Sequence, residues 1–217
     1  MAGVGVAARG ALRPVQAVDV TAMTGLRFKE VEHKFVVGDH FDLEAFRDAL
    51  TALGPVRHVT LRVRDRYFIT ESGRDRGFVI RHRFDRELHE LTIKSVAADA
   101  EVRDEINLDL KAGDQQAQVD AFVGAQGIVW QGALWKDLEV WHFADCEVVH
   151  YTATAGDRVV RCVEFEATDK PTLEAALAVV SRYEAATGFA ETERNPASLL
   201  ELMWPHVLRS GRTTLTE

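Results

Sequence analysis

The sequence predicts an α+β fold built on an antiparallel sheet, flat or curled into a barrel, with a few helices set against it. Three observations carry this expectation. Stretches with period-two alternation outnumber helical stretches. The segments between neighbouring strands are mostly short and turn-like, so hairpins join them rather than long crossovers. Strand after strand divides into one apolar face and one face dense in charges of mixed sign.

The opening strand is "KEVEHKF" (29–35), with Val31, His33 and Phe35 on one face and Glu30, Glu32 and Lys34 on the other. "FDLEAFRDALTAL" (41–53) spaces Phe41, Ala45, Phe46, Ala49, Leu50 and Leu53 as an amphipathic helix, and Gly54-Pro55 ends it. Strands follow over 58–70, 77–84, 88–94 and 101–110, with "ESGRDRG" and "DRE" read as turns. A helix is expected over 114–126, then strands over 133–143, 146–153 and 157–167. A longer helix over 172–188 and a last one within "PASLLELMWPHVL" close the chain. The Ala-, Val- and Gly-rich residues 1–26 read as a mobile tail, residues 27–208 as one domain, and 209–217 as a short C-terminal tail.

Composition narrows the function. The chain has 217 residues, 47% hydrophobic and 28% charged, which suits one sizeable globular core. No apolar run approaches the roughly 20 residues that span a bilayer. The net charge of -8 argues against general affinity for nucleic acid or an anionic membrane. Cys146 and Cys162 form no CxxC or Cys/His cluster and read as buried thiols of a cytoplasmic protein. Self-association as a homodimer is compatible with this composition.

The charged faces carry the chemistry. Val79, Arg81 and Arg83 share a face, as do Glu90, Thr92 and Lys94, then Arg103, Glu105, Asn107 and Asp109, and late in the chain Glu164 and Glu166. If helices cover the outside of a barrel, these faces turn inward and line a polar tunnel. Alternate strand residues lie roughly 6–7 Å apart, so neighbouring carboxylates repel by about 2.5 kcal/mol at an effective dielectric of about 20. Protonation or a divalent cation relieves that repulsion, and an all-oxygen set suits Mg²⁺, Mn²⁺ or Ca²⁺ better than zinc. The basic residues call for a multiply charged anion, whose phosphate oxygens match guanidinium forks. A metal-bound oligophosphate satisfies both needs.

The ordered series ExExK at Glu30, Glu32 and Lys34, then "RDRYFIT", RxR at Arg81 and Arg83, "ELTIK" ending in Lys94, RxE at Arg103 and Glu105, and ExE at Glu164 and Glu166 resembles the CYTH superfamily, the triphosphate tunnel metalloenzymes. The resemblance spans roughly residues 27–205. It implies an eight-stranded antiparallel β-barrel with helices outside, binding a triphosphate-containing small molecule with Mg²⁺ or Mn²⁺. Carried over, Glu30, Glu32, Glu105, Glu164 and Glu166 would be metal-side acids, and Lys34, Arg81, Arg83, Lys94, Arg103 and Lys136 would bind phosphate. Lys34 and Glu32 are the catalytic candidates, Lys34 to orient or deprotonate the nucleophile. Hydrolysis of a triphosphate is the first expectation; adenylate cyclase activity of the class IV type and non-catalytic binding of polyphosphate or nucleotide are the alternatives.

The second half departs from the family pattern. Lys136 is followed by Asp137 and Leu138 where an Arg is common, "VVHYTATAG" offers His150 and Thr152 where an Asp is usual, and the last helix offers Asn195 and Ser198 in place of a Lys. Elsewhere, His33, His82 and His89 read as structural or surface residues. Trp130, Trp135, Trp141 and Trp204 read as packing between barrel and helices. Arg62, Arg64 and Arg66 read either as an extension of the basic wall or as an exposed face, Asp109 as a strand-end residue, and Arg182 and Glu184 as solvent charges.

Overall fold

Alternation along the strands resolves into a closed surface. In the computed structural model, which describes residues 28–84, 89–95, 102–110, 115–168 and 170–207, the strands are β1 (Phe28–Val36), β2 (Arg57–Thr70), β3 (Phe78–Phe84), β4 (His89–Ser95), β5 (Val102–Asp109), β6 (Ile128–His142), β7 (Cys146–Ala155) and β8 (Arg158–Ala167). They close in the order β1-β5-β4-β3-β2-β6-β7-β8, every pairing antiparallel. The barrel is therefore the α+β architecture expected. The tails assigned to residues 1–26 and 209–217 lie outside the described residues, as do the side chains of residues 28–30 and 102–104.

Helices cover the outside where the strands turn apolar residues outward. Helix α1 (Leu43–Ala52) starts at Asp42, whose carboxylate accepts from the Ala45 amide at 3.0 Å. Helix α2 (Glu71–Arg76) corrects the reading of "ESGRDRG" as a turn. Thr70 caps it through the Gly73 amide, and Gly77 at φ 71° ends it in the left-handed conformation that glycine tolerates. Helix α3 (Gln116–Gly124) sets Val119 and Val123 against Phe68 and Ile80. Helix α4 (Leu173–Thr187) and α1 bury Phe35, Phe46, Leu50, Trp141, Val163, Phe165 and Val180 in a second layer against the barrel wall. Each such side chain contributes about 1.5–3 kcal/mol through removal from water.

The C-terminal segment behaves differently. The last helix expected within residues 196–208 is α5 (Leu199–Met203), five residues capped by Ser198 and ended at Trp204, whose backbone leaves the helical region at φ -139° and ψ 73°. Its Leu199, Leu200 and Met203 join Val63, Tyr67, Leu134, Leu138, Tyr151 and Ala153 in an apolar cluster that is contributed by inward faces of the barrel. Strand β6 begins five residues earlier than its alternation suggests. Gly132 lies where an added Cβ would stand 2.6 Å from the Trp130 ring and 3.0 Å from Trp204, so the strand continues through a position reserved for these two rings.

A pH-sensitive contact sits on the outer wall. His82 Nε2 and His89 Nε2 lie 2.8 Å apart, both rings buried, between β3 and β4. Burial, the adjacent His89 and the charge of Arg66 lower His82 to about 4, against the weaker opposing pull of Asp120 and Asp65. The unfolded chain takes up this proton near 6.5 and the folded chain only near 4. Stability is therefore complete above pH 6.5 and falls as the pH drops toward 4, by at most about 1.4 kcal/mol per pH unit. Denaturant titrations of His82→Gln should show a shallower acid slope than the wild type; an identical slope removes this assignment.

Candidate functional site

The inner face of the barrel holds the charges. Strand β1 sends Glu32 and Lys34 inward, both buried, while Val31, His33 and Phe35 point to the helices. Lys34 Nζ donates to Glu32 Oε1 at 2.9 Å and lies 3.2 Å from Glu164 Oε1 on β8. One ammonium thus sits between two carboxylates. Glu166 stands opposite Glu32 in the β1–β8 register, and Tyr151 on β7 donates its hydroxyl to Glu164 at 2.6 Å.

Further round the barrel, β3 and β4 carry the basic wall, with Glu105 of β5 beside it. Arg81 Nη2 donates to Glu90 at 2.8 Å and Thr92 at 3.1 Å, and lies 3.9 Å from Glu105. Lys94 pairs with Glu105 at 2.5 Å. Arg83 forks onto Asp65 of β2, Nε to Oδ1 at 2.7 Å and Nη2 to Oδ2 at 2.8 Å. Lys136 of β6 is buried with its ammonium 3.7 Å from the centre of the Tyr151 ring. Burial lowers the Lys136 pKa to about 8, with Glu164 pulling it back up and Arg83 pushing further down. A cavity of about 80 Å³ between these walls is lined by Glu32, Lys34, Arg81, Lys94, Lys136 and Glu164, and α5 adds Ser198 and Glu201 at one side.

The expected site residues are thus largely brought into one interior. Glu30 and Arg103 face each other in backbone register between β1 and β5, and their side chains lie outside the described residues. Glu105, expected among the metal-side acids, has Lys94 and Arg81 as neighbours. As for metal, Glu32 and Glu164 offer hard oxygen donors on either side of one cation, the Lys34 ammonium, which fits a divalent ion chemically. Among the described residues no three His, Cys, Asp or Glu are gathered closely enough to hold such an ion in this arrangement.

Several sequence readings need correction. Of the two readings open for Arg62, Arg64 and Arg66, the outer face holds and the extension of the basic wall does not. They point outward, Arg62 toward Asp137 and Trp135, Arg64 over the same ring, and Arg66 onto Asp120. Trp135 is 45% exposed rather than packed under a helix. Glu184 is no solvent charge: it is buried, accepts from Arg194 at 2.7 and 3.1 Å, and lies 2.6 Å from His33 Nδ1. His150 and Thr152 do not occupy the position of the missing acid, because Tyr151 between them is the residue that reaches Glu164. Asp65 and Tyr151 are the site residues that sequence reasoning passed over. For Asp65 a signal existed, since strand parity separates it from Arg64 and Arg66 and sets it with Val63 and Tyr67.

No family model matches the chain, and no curated protein is similar to it at a significant level. Solved structures are similar in fold. The PH1012 protein of Pyrococcus horikoshii aligns over 80% of this chain and 99% of its own, with a TM-score of 0.63 and 15% identity. A Bacillus halodurans protein named as a "putative adenylate cyclase" aligns over 82% and 99%, with a TM-score of 0.55 and 13% identity. The Hippeastrum protein HpAC1, named as an adenylyl cyclase candidate with a dominant triphosphatase activity, aligns over 87% and 98%, with a TM-score of 0.51 and 16% identity. At these identities the likeness is one of fold alone: the chain shares the barrel architecture of these three proteins.

Proposed function

We propose that the barrel interior binds a triphosphate-containing small molecule together with Mg²⁺ or Mn²⁺ and hydrolyses it. The observation that supports this best is the burial of Lys34, Arg81 and Lys136 with Glu32, Glu105 and Asp65 inside one closed barrel. Burying so many charges costs free energy unless each is paired, and such a lining recognises a ligand of high and mixed charge. Arg81, Arg83, Lys94 and Lys136, with Arg103, would take phosphate oxygens. Glu32 and Glu164, joined by Glu166, Glu30 and Glu105, would hold the ion, which when bound polarises phosphoryl oxygens and neutralises their charge. Lys34, fixed between Glu32 and Glu164, would orient the attacking water by hydrogen bonding; the protein's contribution is positioning and charge complementarity.

One observation favours a second reading, binding without turnover: the described acids do not by themselves gather into a three-ligand metal set. Incubation of the full chain with tripolyphosphate, ATP or thiamine triphosphate, with and without Mg²⁺ or Mn²⁺, separates these readings. Metal-dependent release of orthophosphate is the expected result. Cyclic AMP with pyrophosphate would make the protein a cyclase, tight binding without product would make it a binder, and no metal-dependent binding of any of the three would overturn the proposal.

A further inference from the structure

Asp65 has no place among the roles assigned above, yet among the described residues it is the most completely buried acid of the interior, at 0% exposure. It stands on β2 in register with Arg83 on one neighbouring strand and Leu134 on the other. Both of its oxygens are taken by the Arg83 fork, at 2.7 and 2.8 Å. Burial alone would raise its pKa, but the charge and hydrogen bonds of Arg83, then the charges of Arg81 and Lys136, reverse this and hold it well below the usual carboxylate range. One side chain expected to grip phosphate, Arg83, is thus already committed to a carboxylate, while Arg81 and Lys136 act on that carboxylate through their charge and not by contact.

The geometry matters because a guanidinium takes phosphate through the same two parallel N–H donors that it offers a carboxylate. Other basic residues face a different situation. Lys34 and Lys94 are paired with Glu32, Glu164 and Glu105, acids that a divalent ion would claim on arrival. Ligand binding therefore exchanges partners on both sides at once. Asp65 has no corresponding exchange, since both of its oxygens are committed to Arg83 and it is not among the acids assigned to the metal.

Resting on the triphosphate reading, we propose that Asp65 is an internal counter-anion that competes with the ligand's phosphate for Arg83, keeping the empty basic wall neutralised and weakening the grip on substrate. A carboxylate that merely aimed Arg83 at the ligand would act in the opposite direction, so removing its charge distinguishes the two.

The test is titration calorimetry of the full chain with tripolyphosphate and Mg²⁺. Asp65→Asn is expected to lower Kd at least tenfold relative to wild type, and to melt at lower temperature without ligand but gain more from it. In an Arg83→Met background the Asp65→Asn substitution should lower Kd by much less than in the wild-type background. Equal or weaker binding by Asp65→Asn overturns the proposal. Should that variant not fold, Asp65→Ser is read in the same way, and the wild type supplies a second measurement: the Arg83 Nε–H resonance must shift on saturation with tripolyphosphate and Mg²⁺, and an unmoved resonance overturns the proposal as well. Binding by neither wild type nor variants would instead sink the triphosphate reading, and this inference with it.

Discussion

Glu32→Gln is expected to reduce turnover of tripolyphosphate by about 10²–10³-fold while leaving the fold intact, the range seen when one preorganised electrostatic group is removed from a buried site. Glu32 is 7% exposed and its carboxylate accepts from Lys34 at 2.9 Å. The amide keeps the shape and one acceptor oxygen, and Lys34 retains Glu164 at 3.2 Å as its counter-ion, so no buried charge is orphaned. What is lost is one negative charge of the proposed metal side. The variant should therefore need more Mg²⁺ or Mn²⁺ for half-maximal rate and should keep a residual rate at saturating metal. Steady-state kinetics across a metal titration checks this; a variant with wild-type rate and unchanged metal dependence would show that Glu32 is not on the metal side. Lys34→Met is a harsher change, because it leaves Glu32 and Glu164 facing each other without their shared ammonium.

Strand parity made the site legible. Each of Glu32, Lys34, Arg81, Lys94 and Glu164 lines the cavity because a period of two admits only one alternative, and the helices need the other face. Residue type misled where it was allowed to override position. In α4 the buried residues are Ala176, Val180, Tyr183 and Glu184, spaced as one helical stripe, so the pattern placed Glu184 at a buried position while its charge suggested solvent. Asp65 was obscured in the same way by the conspicuous Arg62, Arg64 and Arg66 around it. Tyr151 was hidden for a different reason: its ring reads as core, and only the location of Glu164 across β7 and β8 gives its hydroxyl a role. Glycines sit at two boundary differences: Gly132 lies within β6, where an added Cβ would meet Trp130 and Trp204, and Gly77 at positive φ ends a helix rather than shaping a hairpin turn. The end of α5 at Met203 has a local cause, since Pro205 disfavours helical backbone at Trp204.

Glu184→Ala should cost up to about 3–5 kcal/mol of stability, because it removes the buried carboxylate shared by Arg194 and His33 and leaves Arg194 with the weaker, exposed pairing to Glu191 at 3.4 Å. Glu184 is 3% exposed and joins three parts of the chain: α4, on which it sits, His33 on the outer face of β1, and Arg194 in the segment leading to α5. Burial pushes its pKa up, but the hydrogen bonds from His33 and Arg194 win and lower it. Its stabilising contribution is therefore full above the ordinary carboxylate range and is lost as the pH falls through its depressed folded value. Glu184→Gln, which retains an acceptor oxygen, should lose less than the alanine variant. The damage should also reach the site. His33 lies between Glu32 and Lys34, and the Asn195 amide donates to the Lys34 carbonyl at 2.7 Å, so the cluster fixes the backbone from which both inward charges project. Denaturant unfolding measures the first effect. Amide exchange at Asn195 measures the second and should accelerate in Glu184→Ala; a protected Asn195 amide in a destabilised variant would confine the role of Glu184 to packing of α4 and detach it from the geometry of the tunnel.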